Sequence, residues 1–191
     1  MPNWCQNRLQ VIAKTDTARA LLPRLEAGFD EEVEGDAHAF QIILPMPEEL
    51  KGRDAPEMDE AKAAEFRAKY GAADWYDWRI AYWGTKWCSI NLGVEKVRDR
   101  KTLQAEFQTA WAPPIGIYAR LQAMGFDVLA TYAEQGCDFA GYWHNGAEDS
   151  VGIDWGDRGQ FGEEDDYIVI ERTFAKFPNI PTEMYPCGLG G

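Results

Sequence analysis

Alternating apolar and polar positions predict most of the strands in this chain. Residues 4–12, 87–97, 103–111 and 126–132 alternate with a period close to two, as expected for strands with one buried face. A short turn separates the second segment from the third. We therefore expect these two segments to pair as an antiparallel hairpin.

A second hairpin is predicted near the end of the alternating region. Residues 138–144 and 148–153 flank Asn145-Gly146, and Asn-Gly is the strongest short-range signal for a two-residue hairpin turn. Residues 39–44 form a further short apolar run that ends at a proline, and we expect a short strand there.

Helical spacing and capping residues predict three helices. The first begins after an N-cap at residue 15 or 16 and ends at Gly28, and Pro23 is expected to kink or shorten it. The second covers residues 61–70, and the third ends at Gly125. The residues expected to be buried are Leu21, Leu22 and Leu25 in the first helix, Ala64 and Phe66 in the second, and Ile117, Leu121 and Met124 in the third.

The order of these elements predicts an α+β fold. Strand, helix, hairpin, helix and strand form the ferredoxin-like arrangement, an antiparallel sheet with two helices on one face. Residues 1–153 are expected to form this domain, with the hairpin at 138–153 as an addition. Residues 30–85 exceed a normal loop of about 4–6 residues, so they are predicted to be an inserted, aromatic-rich helical segment. Residues 154–191 are expected to form an acidic extension packed on the core, in which 167–174 are apolar and 178–191 are irregular.

Composition and charge exclude several classes of protein. Hydrophobic residues make up 46% of the 191, which excludes a disordered chain. The net charge is −13, so the phosphates of a nucleic acid would be repelled and direct binding is not expected. The charge is uneven, because residues 1–120 carry 16 basic and 19 acidic side chains whereas residues 121–191 carry 3 and 13.

The expected location is a reducing cytoplasm. No apolar run approaches the roughly 20 residues that span a membrane, and the N-terminus does not resemble a signal peptide. The four cysteines, at positions 5, 88, 137 and 187, are too far apart for a metal or redox motif, so free buried thiols are expected.

Four motifs carry a resemblance to a known family. They are Met-Pro-Asn-Trp-Cys-Gln-Asn at residues 1–7, Trp-Gly-Thr-Lys-Trp at 83–87, Thr-Ala-Trp-Ala-Pro-Pro at 109–114 and Tyr-Ala-Glu-Gln-Gly-Cys-Asp-Phe-Ala-Gly at 132–141. Over roughly residues 1–145 the chain resembles the YubB-type ferredoxin-like domain family, found mainly on bacteriophages, plasmids and related mobile elements. The resemblance implies the ferredoxin-like topology in a bacterial cytoplasm. It implies no iron–sulfur cluster and no known activity.

A tryptophan-rich stretch is the first candidate site. Trp75, Trp78 and Tyr82 have the spacing that places side chains on one face of a helix. They are interpreted either as a rigid aromatic surface that anchors a partner or as core beneath the inserted segment. In the following segment, Trp83, Lys86 and Trp87 flank a bend at which Gly84 allows a positive φ. Lys86 is expected to rest on a tryptophan ring with a cation–π attraction, or to bind an anion.

Acidic residues of the C-terminal third are the second candidate site. As a folded face they would imitate the phosphates of DNA and occupy a basic cleft on a defence protein; as a loop they would only be solvated. Their spacing does not match a calcium loop, and no metal is expected. The residues are Asp154, Asp157, Glu163, Glu164, Asp165 and Asp166.

No catalytic residue is predicted. Cys137 and His144 would suit a nucleophile and its base, but no third group with a defined role accompanies them. The sequence favours a non-enzymatic accessory protein of a mobile element that needs no cofactor and binds a host or phage protein, with anti-defence binding as one form. The alternative is a small-molecule-binding protein or enzyme with a pocket between the sheet and the insertion.

Overall fold

The computed structural model describes residues 3–30, 38–52, 59–89, 94–96, 100–156 and 165–189, and it has an α+β fold. The strands are β1 (Trp4–Ala13), β2 (Cys88–Ser89), β3 (Val94–Lys96), β4 (Thr102–Ala110), β5 (Phe126–Glu134), β6 (Phe139–His144) and β7 (Ala147–Val151). The helices are α1 (Asp16–Asp30), α2 (His38–Ile43), α3 (Glu60–Tyr70), α4 (Trp75–Tyr82), α5 (Ile115–Ala123) and α6 (Asp166–Phe174).

The strands form one antiparallel sheet in the order β2-β4-β1-β5-β6-β7, and β3 also pairs with β4. Both predicted hairpin pairings are confirmed. In the second hairpin Asn145 and Gly146 have φ values of 47° and 90°, as an Asn-Gly turn requires. Residues 90–93 and 97–99 of the first hairpin lie outside the described residues.

One face of the sheet is covered by α1, α2 and α5. Leu9 of β1 lies opposite Ala105 of β4 and Ala130 of β5, so these three side chains form one buried row. Because side chains alternate along a strand, Val11 on β1 belongs to the same face. The predicted strand patterns therefore identify the face on which the main core lies.

The other face of β5 and β6 is covered by the C-terminal segment. Ala133 and Ala140 pair across the two strands and pack with Ile170 and Phe174 of α6. The remaining chain crosses this face with a 3₁₀ turn at Thr182–Met184, and its buried side chains include Phe177, Ile180, Met184 and Leu189. The apolar segment 167–174 is thus entirely helical, and the irregular tail contributes to a second core.

The predicted strand at residues 39–44 is wrong, because α2 occupies this position. Ala39, Phe40 and Ile43 are buried, a helical spacing that a short apolar run does not distinguish from a strand. The helix also lies against Gly28, where a Cβ would be 3.1 Å from the Ala39 Cα. Gly28 therefore gives α2 room to approach α1, and α1 continues past it to Asp30.

Three smaller predictions also need correction. Pro23 does not shorten α1, which has 15 residues and contains this exposed proline. Ala64 is exposed on α3, and Ala63 packs inward with Phe66 instead. The four cysteines are free, but Cys137 and Cys187 are exposed rather than buried.

Truncating Phe40 tests the packing between α2 and the sheet. The ring is fully buried and meets Trp83 and Phe107 edge-on, with ring centroids 5.5 and 5.8 Å away. We expect Phe40→Ala to lower the free energy of unfolding by about 3–5 kcal/mol in urea denaturation. The control Tyr167→Ala removes an exposed ring from α6 and should change it by less than about 0.5 kcal/mol. Equal losses in both variants would contradict the placement of α2.

Candidate functional site

Segments from all four sequence motifs meet at one end of the sheet. The first residues of β1 pair with the last residues of β4, as in Trp4 opposite Ala110. The last residues of β5 join them on the other side, with Ala133 opposite Gln6. Beyond the paired strands, the backbone N–H of Trp111 donates to the Asn3 carbonyl at 2.9 Å. Motifs that are more than 100 residues apart in sequence therefore form one region.

A buried asparagine connects the elements of this region. Asn7 Nδ2 donates to the Cys5 carbonyl at 2.7 Å and to Thr109 Oγ1 at 2.8 Å. Its Oδ1 accepts from the Tyr118 hydroxyl at 2.9 Å, which links β1 to α5. Thr109 in turn donates to the Ala112 carbonyl at 2.8 Å, so the network also fixes the β4–α5 connection.

The bend at residues 83–87 is fixed against the same connection. Gly84 has the predicted positive φ, at 89°, and a Cβ there would lie 3.1 Å from the Pro113 carbonyl oxygen. The Thr85 hydroxyl, fully buried, donates to the Ala110 carbonyl at 2.9 Å. These contacts hold Lys86 and the end of β4 in fixed relative positions.

Lys86 lies among four aromatic rings, and we call this lysine with its rings the aromatic surface. Its Nζ is 4.3 Å from the ring centroid of Trp87, 5.3 Å from that of Tyr76, 5.5 Å from that of Trp75 and 5.6 Å from that of Trp111. No carboxylate among the described residues forms an ion pair with it. The predicted cation–π contact of Lys86 is confirmed, and it involves four rings instead of one.

Arg79 adds a second cation to this arrangement. Its guanidinium carbon is 5.2 Å from the Trp75 ring centroid and 4.6 Å from that of Trp83. Its Nη1 also donates to the Lys86 carbonyl at 3.4 Å. Trp75 thus lies near both cations, and the aromatic surface is joined to the core through Arg79 and Trp83.

The predicted tryptophan site divides into core and surface. Trp78 and Trp83 are buried, and the Trp83 indole donates to the Leu44 carbonyl at 2.8 Å. Tyr82 stacks on Trp78 at 4.8 Å and donates to the Tyr70 carbonyl. Of the six predicted residues, only Trp75, Lys86 and Trp87 therefore belong to the aromatic surface.

Sequence reasoning missed Tyr76, Ile80 and Trp111, which are 37%, 40% and 38% exposed. Ile80 follows Tyr76 by four residues on α4, so the two share a helix face. Trp111 has a φ of 66°, a left-handed conformation that is rare for a bulky side chain and costs about 1–3 kcal/mol. The two prolines after Trp111 marked the end of β4, but not the direction of this ring.

Only three of the six acidic candidates lie among the described residues, so the structure describes no common acidic face. Asp165 caps α6 by accepting from the Tyr167 N–H at 2.9 Å, and Asp166 lies in the first turn. Asp154 Oδ2 is 3.6 Å from Lys176 Nζ. The other three predicted residues, Asp157, Glu163 and Glu164, lie outside the described residues.

Cys137 and His144 do not form a reactive pair. They lie before β6 and at its far end, roughly 20 Å apart along an extended strand. The buried Glu134 carboxylate accepts from the Cys137 N–H at 2.6 Å, and a hydrogen bond to Glu134 raises the pKa of the Cys137 thiol. The described part of the chain contains no group of three or more His, Cys, Asp or Glu side chains arranged to hold a metal ion.

Comparisons with known proteins give one distant structural similarity. The chain aligns with the crystal structure of a protein api92 from Yersinia pseudotuberculosis, family DUF1281, at 12% identity and a TM-score of 0.41. The alignment covers 82% of this chain and 99% of that one. No family model and no curated protein matches. At this similarity the alignment assigns neither a family nor a function. Within the described residues, no helix has both the length and the apolarity needed to cross a membrane.

Removing the Tyr118 hydroxyl tests the buried network. Tyr118→Phe leaves Asn7 Oδ1 without its donor, so we expect a loss of about 1–3 kcal/mol in the free energy of unfolding. Tyr76→Phe is the matched control, because its hydroxyl belongs to an exposed side chain. Urea denaturation of both variants makes the comparison, and equal stabilities would contradict a role for this hydrogen bond.

Replacing Lys86 by methionine tests the cation among the rings. Methionine keeps much of the apolar length of lysine but removes the charge. We therefore expect Lys86→Met to lower the free energy of unfolding by about 1–2 kcal/mol. Lys62→Met is the control, because Lys62 Nζ lies near a single ring, that of Phe66 at 5.4 Å. Its loss should stay below about 0.5 kcal/mol by urea denaturation. A Lys86 variant as stable as the control would show that the four rings add nothing.

Proposed function

We propose that this protein is a non-enzymatic accessory protein of a mobile genetic element that acts by binding another protein through the aromatic surface. The observation that carries the proposal is the combination of exposed aromatic side chains with a strained backbone at Trp111. Tryptophan, tyrosine and arginine dominate the binding energy of protein interfaces.

The rigidity of the surface supports binding. The buried network of Asn7 and Thr109 fixes the connection that carries Trp111, and Arg79 fixes Trp75 against the buried Trp83. Side chains that are already fixed lose little conformational entropy when a partner binds. In this proposal the left-handed backbone at Trp111 has a role in binding, because it keeps a large ring beside Lys86 at the surface.

The partner is a host or phage protein with an apolar patch. Ile80 and the exposed part of Tyr76 extend the aromatic surface along α4 and give it an apolar edge. Because Lys86 already lies among the rings, the surface offers no empty cage for a cation from the partner. Asp154 lies beside Lys176 and Asp165 caps α6, so the proposal places the interface on the aromatic surface.

The proposal also includes the ferredoxin-like assignment and the origin from a mobile element. The order β4-β1-β5, with β2 and β3 outside β4, supports the split β-α-β topology, and α2 to α4 then belong to the insertion at residues 30–85. The resemblance of the four motifs to the YubB-type family supports the mobile element and the bacterial cytoplasm.

Two surface variants test the proposed interface. We expect Ile80→Asp and Trp111→Ala each to weaken binding of a partner captured from host lysate by more than about 30-fold, as for a hot spot of 2 kcal/mol or more. Ile168→Asp places the same charge on exposed Ile168 of α6 and should leave binding unchanged. Urea denaturation confirms that each variant is folded, and titration of the purified partner by calorimetry gives the affinities. Equal binding by all three variants would contradict the proposal, as would capture of no partner.

A further inference from the structure

A groove of about 400 Å³ lies on the same face of the sheet as α5, between the β4–α5 connection and the strands β5 to β7. Pro113, Ile115 and Phe139 form its apolar walls, and Tyr132, Glu148, Asp149 and Ser150 supply polar groups. None of these residues belongs to the segment 30–85, so this is not the predicted pocket between the sheet and the insertion.

The floor of the groove is built around a glycine. Tyr132, Gly141 and Ser150 lie side by side on β5, β6 and β7. A Cβ at Gly141 would be 2.8 Å from the Tyr132 hydroxyl and 2.5 Å from the Asp149 carbonyl oxygen. The absence of a side chain at Gly141 therefore lets the Tyr132 ring lie across β6, with its hydroxyl directed towards β7.

The Tyr132 hydroxyl has no hydrogen-bond partner among the described residues. The side chain is only 5% exposed, and it lines the groove. Burial, followed by the negative charge of Glu148, raises the pKa of Tyr132, so the hydroxyl stays protonated at neutral pH. A hydroxyl that faces a groove and is not bonded within the described protein can bond a group from outside it.

The charge around this hydroxyl is negative. Glu148 is exposed on β7 and has no ion-pair partner among the described residues. It lies opposite Trp143, so its side chain is on the same face of the sheet as Tyr132, whereas Asp149 lies opposite Tyr142 and directs its carboxylate to the other face. No lysine or arginine is among the described residues that line the groove. A carboxylate, a hydroxyl that can accept a hydrogen bond and apolar walls together suit a cation on an apolar stem.

We propose that this groove binds an alkylammonium or guanidinium group, with its charge at Glu148, its N–H donating to the Tyr132 hydroxyl and its methylenes against Phe139 and Pro113. The same chemistry is offered by a free polyamine and by a lysine or arginine side chain of a protein. The inference does not rest on the proposed partner surface, because none of its groups belongs to the aromatic surface.

The test is a titration of the ¹⁵N-labelled full chain with n-butylammonium chloride, followed by amide chemical shifts. We expect saturable shifts at Phe139, Gly141 and Ser150 that weaken as salt is added. The neutral control n-butanol should not reproduce them. Shifts of equal size with n-butanol, or no shifts in the groove, would overturn the proposal.

Conservative variants identify the groups involved. We expect Tyr132→Phe to weaken n-butylammonium binding by about threefold to tenfold, and Glu148→Gln by about threefold to fivefold. Glu65→Gln removes an exposed carboxylate of α3 and should bind like the parent chain. Ile80→Asp should also bind like the parent, which separates this site from the aromatic surface. Unchanged affinity in both groove variants would overturn the assignment, and retained amide spectra confirm that they are folded.

Competition experiments distinguish the two sources of the cation. Spermidine displacing n-butylammonium more effectively than N-acetyl-lysine methylamide indicates a free polyamine. The reverse order indicates a protein side chain, and N-acetyl-arginine methylamide then compares guanidinium with ammonium. Failure of all three to displace n-butylammonium would contradict the proposal.

Discussion

The buried amide of Asn7 is the constraint on which the arrangement of this protein depends. An amide that is fully buried must satisfy its donors and acceptor within the protein, because an unmade hydrogen bond there costs about 1–3 kcal/mol. Its partners come from β1, β4 and α5, so these elements are held in one relative position. The connection between β4 and α5 follows from that position, and with it the location of Trp111.

Both candidate sites use this fixed connection. Trp111 at its start contributes to the aromatic surface, whereas Pro113 and Ile115 at its end line the groove. The two sites differ in charge, since Lys86 and Arg79 lie among aromatic rings on one side and Glu148 lies at the groove on the other. A single rigid segment therefore separates a cation-rich aromatic region from an acidic groove.

The second core explains how an acidic C-terminal segment remains attached to the sheet. Its carboxylates are mostly exposed or cap α6, while Ile170, Phe174 and Met184 pack on β5 and β6. Two hydrogen bonds add to this contact, because the Thr131 hydroxyl donates to the Met184 carbonyl and Arg8 donates to the Tyr185 carbonyl at 3.4 Å. The net charge of this segment is thus compatible with close packing.

The sequence by itself determined the elements whose signal is local. Period-two alternation identified β1, β4 and β5, and Asn145-Gly146 identified the second hairpin, because strand pleating and turn geometry depend on neighbouring residues. Only the tertiary structure decided that His38–Ile43 form a helix, since packing against Gly28 outweighs the weak preference of a short apolar run. It also decided which aromatic residues meet at Lys86, and it placed Tyr132 beside Glu148. Trp111 and Glu148 reach these positions through the pairing of strands, and no local pattern encodes that register.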